Sequence, residues 1–257
     1  MNKYIKILII INGMVLPIAI GVILYQLYTK KSDDYYNYIP ESIIVGEGLE
    51  KAKKDSIALQ GLSYEDPQSI YNSTNFYMPV SVLTYEEAKT VKAMAESAGD
   101  ISPYFYNYFN ILFLDKDYEV IGALLDKKGF ISEIQINHGR YYYRDDKVDT
   151  TVKHIAYSIG FDDSNSDGKL DGKDTYDLYI SDHNGKNLVR VTENIDVLDY
   201  SFIESNTKIF IAFQERNDLR EEHKKRYFGI YDIQNQQFRK LNSITESLEK
   251  MERQLLE

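Results

Sequence analysis

Residues 163 to 174 read Asp-Ser-Asn-Ser-Asp-Gly-Lys-Leu-Asp-Gly-Lys-Asp, and this stretch constrains the chain more than any other. Oxygen-bearing side chains fall at positions one, three, five, nine and twelve of the segment: Asp163, Asn165, Asp167, Asp171 and Asp174. Gly168 holds position six, where a tight wrap needs a sharp turn, and aliphatic Leu170 holds position eight. Carboxylates crowded into so short a segment repel one another unless a cation neutralises them. Calcium takes about six to eight oxygens at about 2.3–2.6 Å, and this alternation converges such oxygens on one point. The segment therefore reads as a calcium loop. Asp163, Asn165 and Asp167 supply side-chain oxygens, Lys169 its backbone carbonyl, Asp171 an oxygen directly or through water, and Asp174 closes the site. The bland alternative is a solvated Asp/Asn/Gly turn with no ion.

The flanks decide what kind of loop this is. His154 to Gly160 leads in and Asp177 to Ser181 leads out, and both carry β-strand patterning. The loop thus resembles the EF-hand motif over its twelve residues alone. It is equally similar to the Asp-x-Asp-x-Asp-Gly hairpin loops of some β-propeller blades. Asp174 also stands where the hand motif usually carries glutamate, and it is one methylene shorter. A sensor works by swinging a helix pair, and a strand connection has none to swing. The implied ion is structural.

Around the loop, short strands alternate with turns. Phe76 to Leu83 reads as a strand, followed by a helix capped by Thr84 and Glu87 and ended by Gly99. Leu49 to Ala58 reads as a short helix. Asn110 to Leu114 and Val120 to Leu125 flank a turn at Asp115 to Glu119. Asp177 to Ser181 and Asn187 to Thr192 flank His183-Asn-Gly-Lys186, where Asn184-Gly185 predicts a two-residue turn with positive φ at both positions. Val197 to Ile203, Lys208 to Phe213, Tyr227 to Ile233 and Phe238 to Leu241 follow as four strands. Ser243 to Glu257 reads as an amphipathic helix with Ser243 and Glu246 at its start and Ile244, Leu248, Met251 and Leu255 on its apolar face. That face is expected to pack on the parent domain.

The stretch Asp177 to Thr192 resembles a blade segment of TolB-type β-propellers, in which a strand, an Asp-x-x-Gly turn and a strand ending near Leu-Thr recur. Val197 to Leu241 looks like the next unit, and residues 110 to 125 like a degenerate earlier one. The chain also resembles membrane-anchored bacterial proteins that combine such strands with one EF-hand-like loop, a resemblance that brings no activity with it. A closed propeller needs at least about four blades and only two or three units are visible, so either earlier blades have diverged or, the favoured arrangement, the strands form an open meander packed against an N-terminal α/β segment. The fold class is mainly β (α+β). The divisions are an anchor at 1–31, a linker at 32–40, a mixed α/β segment at 41–105, a propeller-like β-meander at 106–242 and a C-terminal helix at 243–257.

The anchor rests on Ile7 to Leu24, an uncharged apolar run. As a helix it spans about 27 Å, close to the hydrocarbon thickness of a bilayer. Tyr25 and Tyr28 suit the headgroup zone, and Lys30 and Lys31 close the segment. A cleaved signal peptide needs a small-residue cleavage site, and the residues after Leu24 offer none. The expectation is a single-pass membrane protein with its C-terminal domain periplasmic or extracellular, where calcium is plentiful.

The net charge of −10 is made more negative still, beyond the anchor, by the loss of Lys3, Lys6, Lys30 and Lys31. An acidic surface repels phosphate backbones, which argues against a nucleic-acid partner. The absence of cysteine removes disulfides, thiolate metal sites and cysteine nucleophiles. The four histidines, His138, His154, His183 and His223, lack metal-ligand spacing. No phosphate loop, zinc-protease motif or nucleophile elbow is present in the sequence. The expected function is a non-catalytic, calcium-binding envelope protein whose β-domain binds a protein or glycan partner. The alternative is a membrane-anchored hydrolase with a structural calcium.

Overall fold

The computed structural model describes residues 43–55, 59–84, 108–135, 150–216 and 225–256, together with Ile20, Val22 and Tyr25. The chain divides into two compact units, Met1–Ile39 and Pro40–Glu257, and the division falls inside the segment read as a linker. Ile20, Val22 and Tyr25 are helical and exposed. The rest of the expected anchor lies outside the described residues, as does the helix expected after Thr84. No helix among the described residues is long and apolar enough to cross a membrane.

The second unit is mainly β, with four antiparallel sheets and two helices among its described residues, and no sheet closes into a barrel. β1 is Ile43–Ile44 and leads into α1, Gly46–Lys54. The first large sheet holds β2 (Gln60–Tyr64), β3 (Gln68–Ser69), β4 (Phe76–Thr84), β5 (Asn110–Leu114) and β6 (Val120–Ala123). Its order is β2-β4-β5-β6, with β3 also paired to β4. The second sheet holds β7 (Phe130–Gln135), β8 (His154–Gly160), β10 (Asp177–Asp182) and β11 (Val189–Arg190) in sequential order. The third repeats that meander with β12 (Ile195–Ile203), β13 (Lys208–Glu215), β14 (Tyr227–Asp232) and β15 (Gln237–Lys240). Between β8 and β10, β9 (Lys169–Leu170) leaves the second sheet to pair with β1. The chain then enters α2, Asn242–Leu256.

Two apolar cores stack these sheets. Ile111, Phe113 and Leu124 of the first sheet region meet Ile131, Ile155, Tyr157 and Ile159 of the second. Ala156, Leu178 and Ile180 on the opposite side of the second sheet meet Ile209, Ile211 and Phe213 of the third. β8 is therefore buried on both faces. Alternation places Ile155, Tyr157 and Ile159 on one side and Ala156 on the other, and this is why its sequence reads as a nearly unbroken buried run. The Tyr157 hydroxyl, fully enclosed, is hydrogen-bonded to Ser181 Oγ at 2.8 Å, as a buried phenol requires.

In each of the three large sheets an aspartate opens the last hairpin. Asp115 Oδ1 accepts the amides of Asp117 (2.9 Å) and Glu119 (3.0 Å). Asp182 Oδ1 does the same for Asn184 (3.2 Å) and Lys186 (2.8 Å), and Asp232 Oδ1 accepts the amide of Asn235 at 2.9 Å. The first two turns match further, since the backbone carbonyl of each aspartate accepts the amide three residues on, from Tyr118 or Gly185. Those residues take φ of +65° and +74°. The turn expected at Asn184-Gly185 is corrected here. Of the two central residues only Gly185 has positive φ, because the Asp182 carboxylate builds a longer turn in which Asn184 keeps a negative φ and Asn187 takes φ +55°.

The boundary drawn near residue 105 does not follow a sheet, since β4 pairs with β5 from Phe76 opposite Leu114 to Val80 opposite Asn110. At the C-terminus, α2 packs against β14, and Lys225 forms an ion pair with Glu249. Thr245 is buried and Ile244 half-buried, but Leu248, Met251 and Leu255 are 39, 58 and 87 % exposed. The expected apolar face thus meets the body at its first turn and leaves it progressively.

Candidate metal site

The connection from β8 to β10 holds the Asp163 to Asp174 loop. Its stems pass close together: a Cβ on Gly160 would lie 2.9 Å from the Thr175 carbonyl oxygen, so glycine lets the two stems approach. The Thr175 amide donates to Ser164 Oγ at 2.9 Å and closes the ring.

Inside that ring the carboxylates organise the backbone. Asp163 accepts the amide of Asp167 at 3.1 Å on Oδ1 and that of Gly168 at 2.8 Å on Oδ2. Asn165 Oδ1 accepts the amide of Asp167 at 2.9 Å, and its Nδ2 donates to Asp167 Oδ2 at 3.3 Å. Asp167 Oδ1 accepts the amide of Lys169 at 3.0 Å. Asp174 Oδ1 accepts the amides of Ser164 (2.7 Å) and Asn165 (3.4 Å) and the Ser164 hydroxyl (3.1 Å), while Oδ2 accepts the Asp171 amide (2.9 Å). Asp171 Oδ1 accepts the amide of Lys173 at 2.8 Å.

Gly168 takes φ +82°, as a sharp turn at position six demands, and Ser166 takes φ +60°. Leu170 is 3 % exposed and packs with Ile43 and Phe130 in a small core of its own. Position eight thus anchors the loop, while Asn165 and Asp167 stay exposed. Lys169 lies in β9, opposite Ile44.

The six expected ligand residues share one ring, but Asp171 and Asp174 differ from the others in burial, at 3 and 5 % exposed. Among the described residues, no group of three or more His, Asp or Glu side chains gathers tightly enough to hold a metal ion as placed. The donor set nonetheless fits calcium chemically. Each carboxylate oxygen has two lone pairs, so one that accepts a single amide can still face an ion; Asp174 Oδ1, with three donors, has none to spare, and Asp174 would reach an ion through Oδ2. Asp171 Oδ2 goes further, being buried without any hydrogen-bond partner. A buried, unpartnered carboxylate oxygen is costly in an empty loop, and a cation removes that cost.

Ser164 is the residue that sequence reasoning missed. Its amide and hydroxyl both bind Asp174, and its oxygen also receives the Thr175 amide. A serine or threonine at position two facing an aspartate at position twelve is the signal that would have found it.

A second polar site lies between the second and third sheets. A cavity of about 220 Å³ is lined by Glu133, Gln135, Ser158, Tyr176, Asp199 and Tyr200, among others. Burial and the nearby Asp199 carboxylate hold the Glu133 carboxyl above its usual range, against a hydrogen bond from Ser158. Elsewhere, burial holds His154 and His183 below the usual imidazole range, and the Ser181 backbone and Asp182 partly offset this for His154.

No family model, curated protein or solved structure matches this chain.

Proposed function

We propose that Asp163 to Asp174 is a structural calcium site in a membrane-anchored, non-catalytic envelope protein. In this reading the three stacked meanders are propeller-like units. They present a surface to a protein or glycan partner on the periplasmic or extracellular side. The observation that carries the calcium assignment is Asp171 Oδ2, buried and without a hydrogen-bond donor. Supporting it are the twelve-residue register and the positive φ of Gly168. The ion would be held by Asp163, Asn165, Asp167, the Lys169 carbonyl, Asp171 and Asp174, and it would supply charge neutralisation rather than chemistry.

The role is structural because the stems are strands. Filling the loop tightens the connection between β8 and β10, the two inner strands of the middle sheet, on which both cores rest. Isothermal calorimetry on the full-length chain in detergent tests the assignment. One calcium per chain is expected, with binding lost in Asp171→Asn. Equal heats for wild type and variant would remove Asp171 from the site, and no heat in wild type would remove the site.

A further inference from the structure

Among the described residues the loop pairs as a strand with one other segment, β1, and that pairing points to what calcium controls. β1 is two residues long, and its sheet partner is β9, the two-residue strand inside the loop. Ile43 stands opposite Leu170 and Ile44 opposite Lys169. The Val45 amide donates to the Gly168 carbonyl at 2.9 Å. Loop positions six to eight thus hold residues 43 to 45, the first described residues of the second unit.

Such a ribbon does not persist unaided. Two-stranded pairings are marginal even at greater length, so this one depends on the order of both halves. On the β1 side, Gln60 fixes Ile44, its Oε1 accepting the Ile44 amide at 2.8 Å and its Nε2 donating to the Ile44 carbonyl at 3.3 Å. Ile43, 4 % exposed, is packed with Leu170 and Phe130, flanked by Val45, Val82 and Phe109. On the β9 side, Leu170 lies in that same small core, and the rest of the order comes from the acidic ring, whose carboxylates repel one another when no cation is bound.

We propose that calcium in this loop acts as a clasp, its occupancy governing whether residues 43–45 stay docked on β9. The inference rests on the calcium reading above and adds its consequence. Because coupling between two sites is reciprocal, docking of β1 must in turn tighten calcium binding. Calcium then sets how firmly residues 43–45 are fixed to the β-domain.

Amide hydrogen exchange on the full-length chain in detergent, with calcium or with chelator, tests this. Three amides report separately: Gly168, bonded to Asp163 within the loop; Val45, bonded across to Gly168; and Ile44, bonded to Gln60. Chelation is expected to speed exchange at Gly168 and Val45 by about tenfold or more, and Asp163→Ala with Asp167→Ala should abolish the difference. Ile43→Ser, which leaves every loop oxygen in place, is expected to weaken calcium binding by about tenfold by calorimetry. Calcium that protects Gly168 but leaves Val45 unchanged, with wild-type affinity in Ile43→Ser, overturns the clasp and spares the ion site. A wild-type chain that takes up no calcium overturns both.

Discussion

The hairpin turns at Asp115 and Asp182 and the loop from Asp163 to Asp174 are built from the same device with opposite bookkeeping of charge. In each hairpin one carboxylate accepts two turn amides within four residues, beside water. Nothing further is required, and the turn is complete as a local structure. In the loop, four carboxylates and an asparagine serve one ring. Two of the acids are buried, and one oxygen has no donor. A turn aspartate solves a backbone problem, whereas the loop supplies more negative oxygen than its backbone can use. That surplus is what the proposed ion would neutralise, and the capped turns have no counterpart to it.

The comparison can be broken from either side. The largest effect is expected from Asp163→Ala with Asp167→Ala. On the proposed reading, calcium at a hundredfold excess over its dissociation constant would add about 2.7 kcal/mol to the wild type, and the double variant should lose all of that increment. Chemical denaturation with and without chelator measures it. Gly185→Ala should cost about 2–3 kcal/mol whether or not calcium is present, since its Cβ would lie 2.1 Å from the buried Phe113 ring at a φ that suits glycine. Asp182→Ala should cost about 1 kcal/mol, again independent of calcium, by removing the oxygen that accepts two turn amides. A calcium-dependent loss at Asp182 would mean that the hairpin and the loop are not separate devices.

The smallest expected effect is in pH. Burial lowers the pKa of His154 and His183 below 6.5, so the unfolded chain takes up protons before the folded one does. Their contribution to stability is full above about pH 6.5 and is lost as pH falls toward their folded values. Urea midpoints in chelator should decline over that range, and His183→Gln should flatten the decline. A midpoint that rises on acidification would reverse the sign.

Much of this was legible in the sequence, because it depends on local pattern. β4, β5, β8, β10 and β12 to β15 follow runs of alternating or continuous apolar residues, and Gly168 and Leu170 follow from loop register alone. β7 was missed. It bears a bulge between Ile131 and Glu133 that breaks its alternation. β2, Gln-Gly-Leu-Ser-Tyr, has weak strand propensity and takes its place from pairing with β4. The β1–β9 ribbon joins segments more than a hundred residues apart, and a two-residue strand carries no periodicity to read. Near residue 105 the composition changes, but hydrogen bonding from β4 to β5 spans that point. In the loop, sequence named the oxygens but not which one would lack a donor, because that depends on how Ser164 and Asp174 close the ring.

The central claim is that a divalent ion neutralises the surplus oxygens of this ring. Its most direct test is anomalous diffraction from crystals of the chain grown in millimolar calcium. A single anomalous peak about 2.3–2.6 Å from oxygens of Asp163, Asp167 and Asp171 is the predicted result. A featureless map there, with water or a protein donor against Asp171 Oδ2, would contradict it.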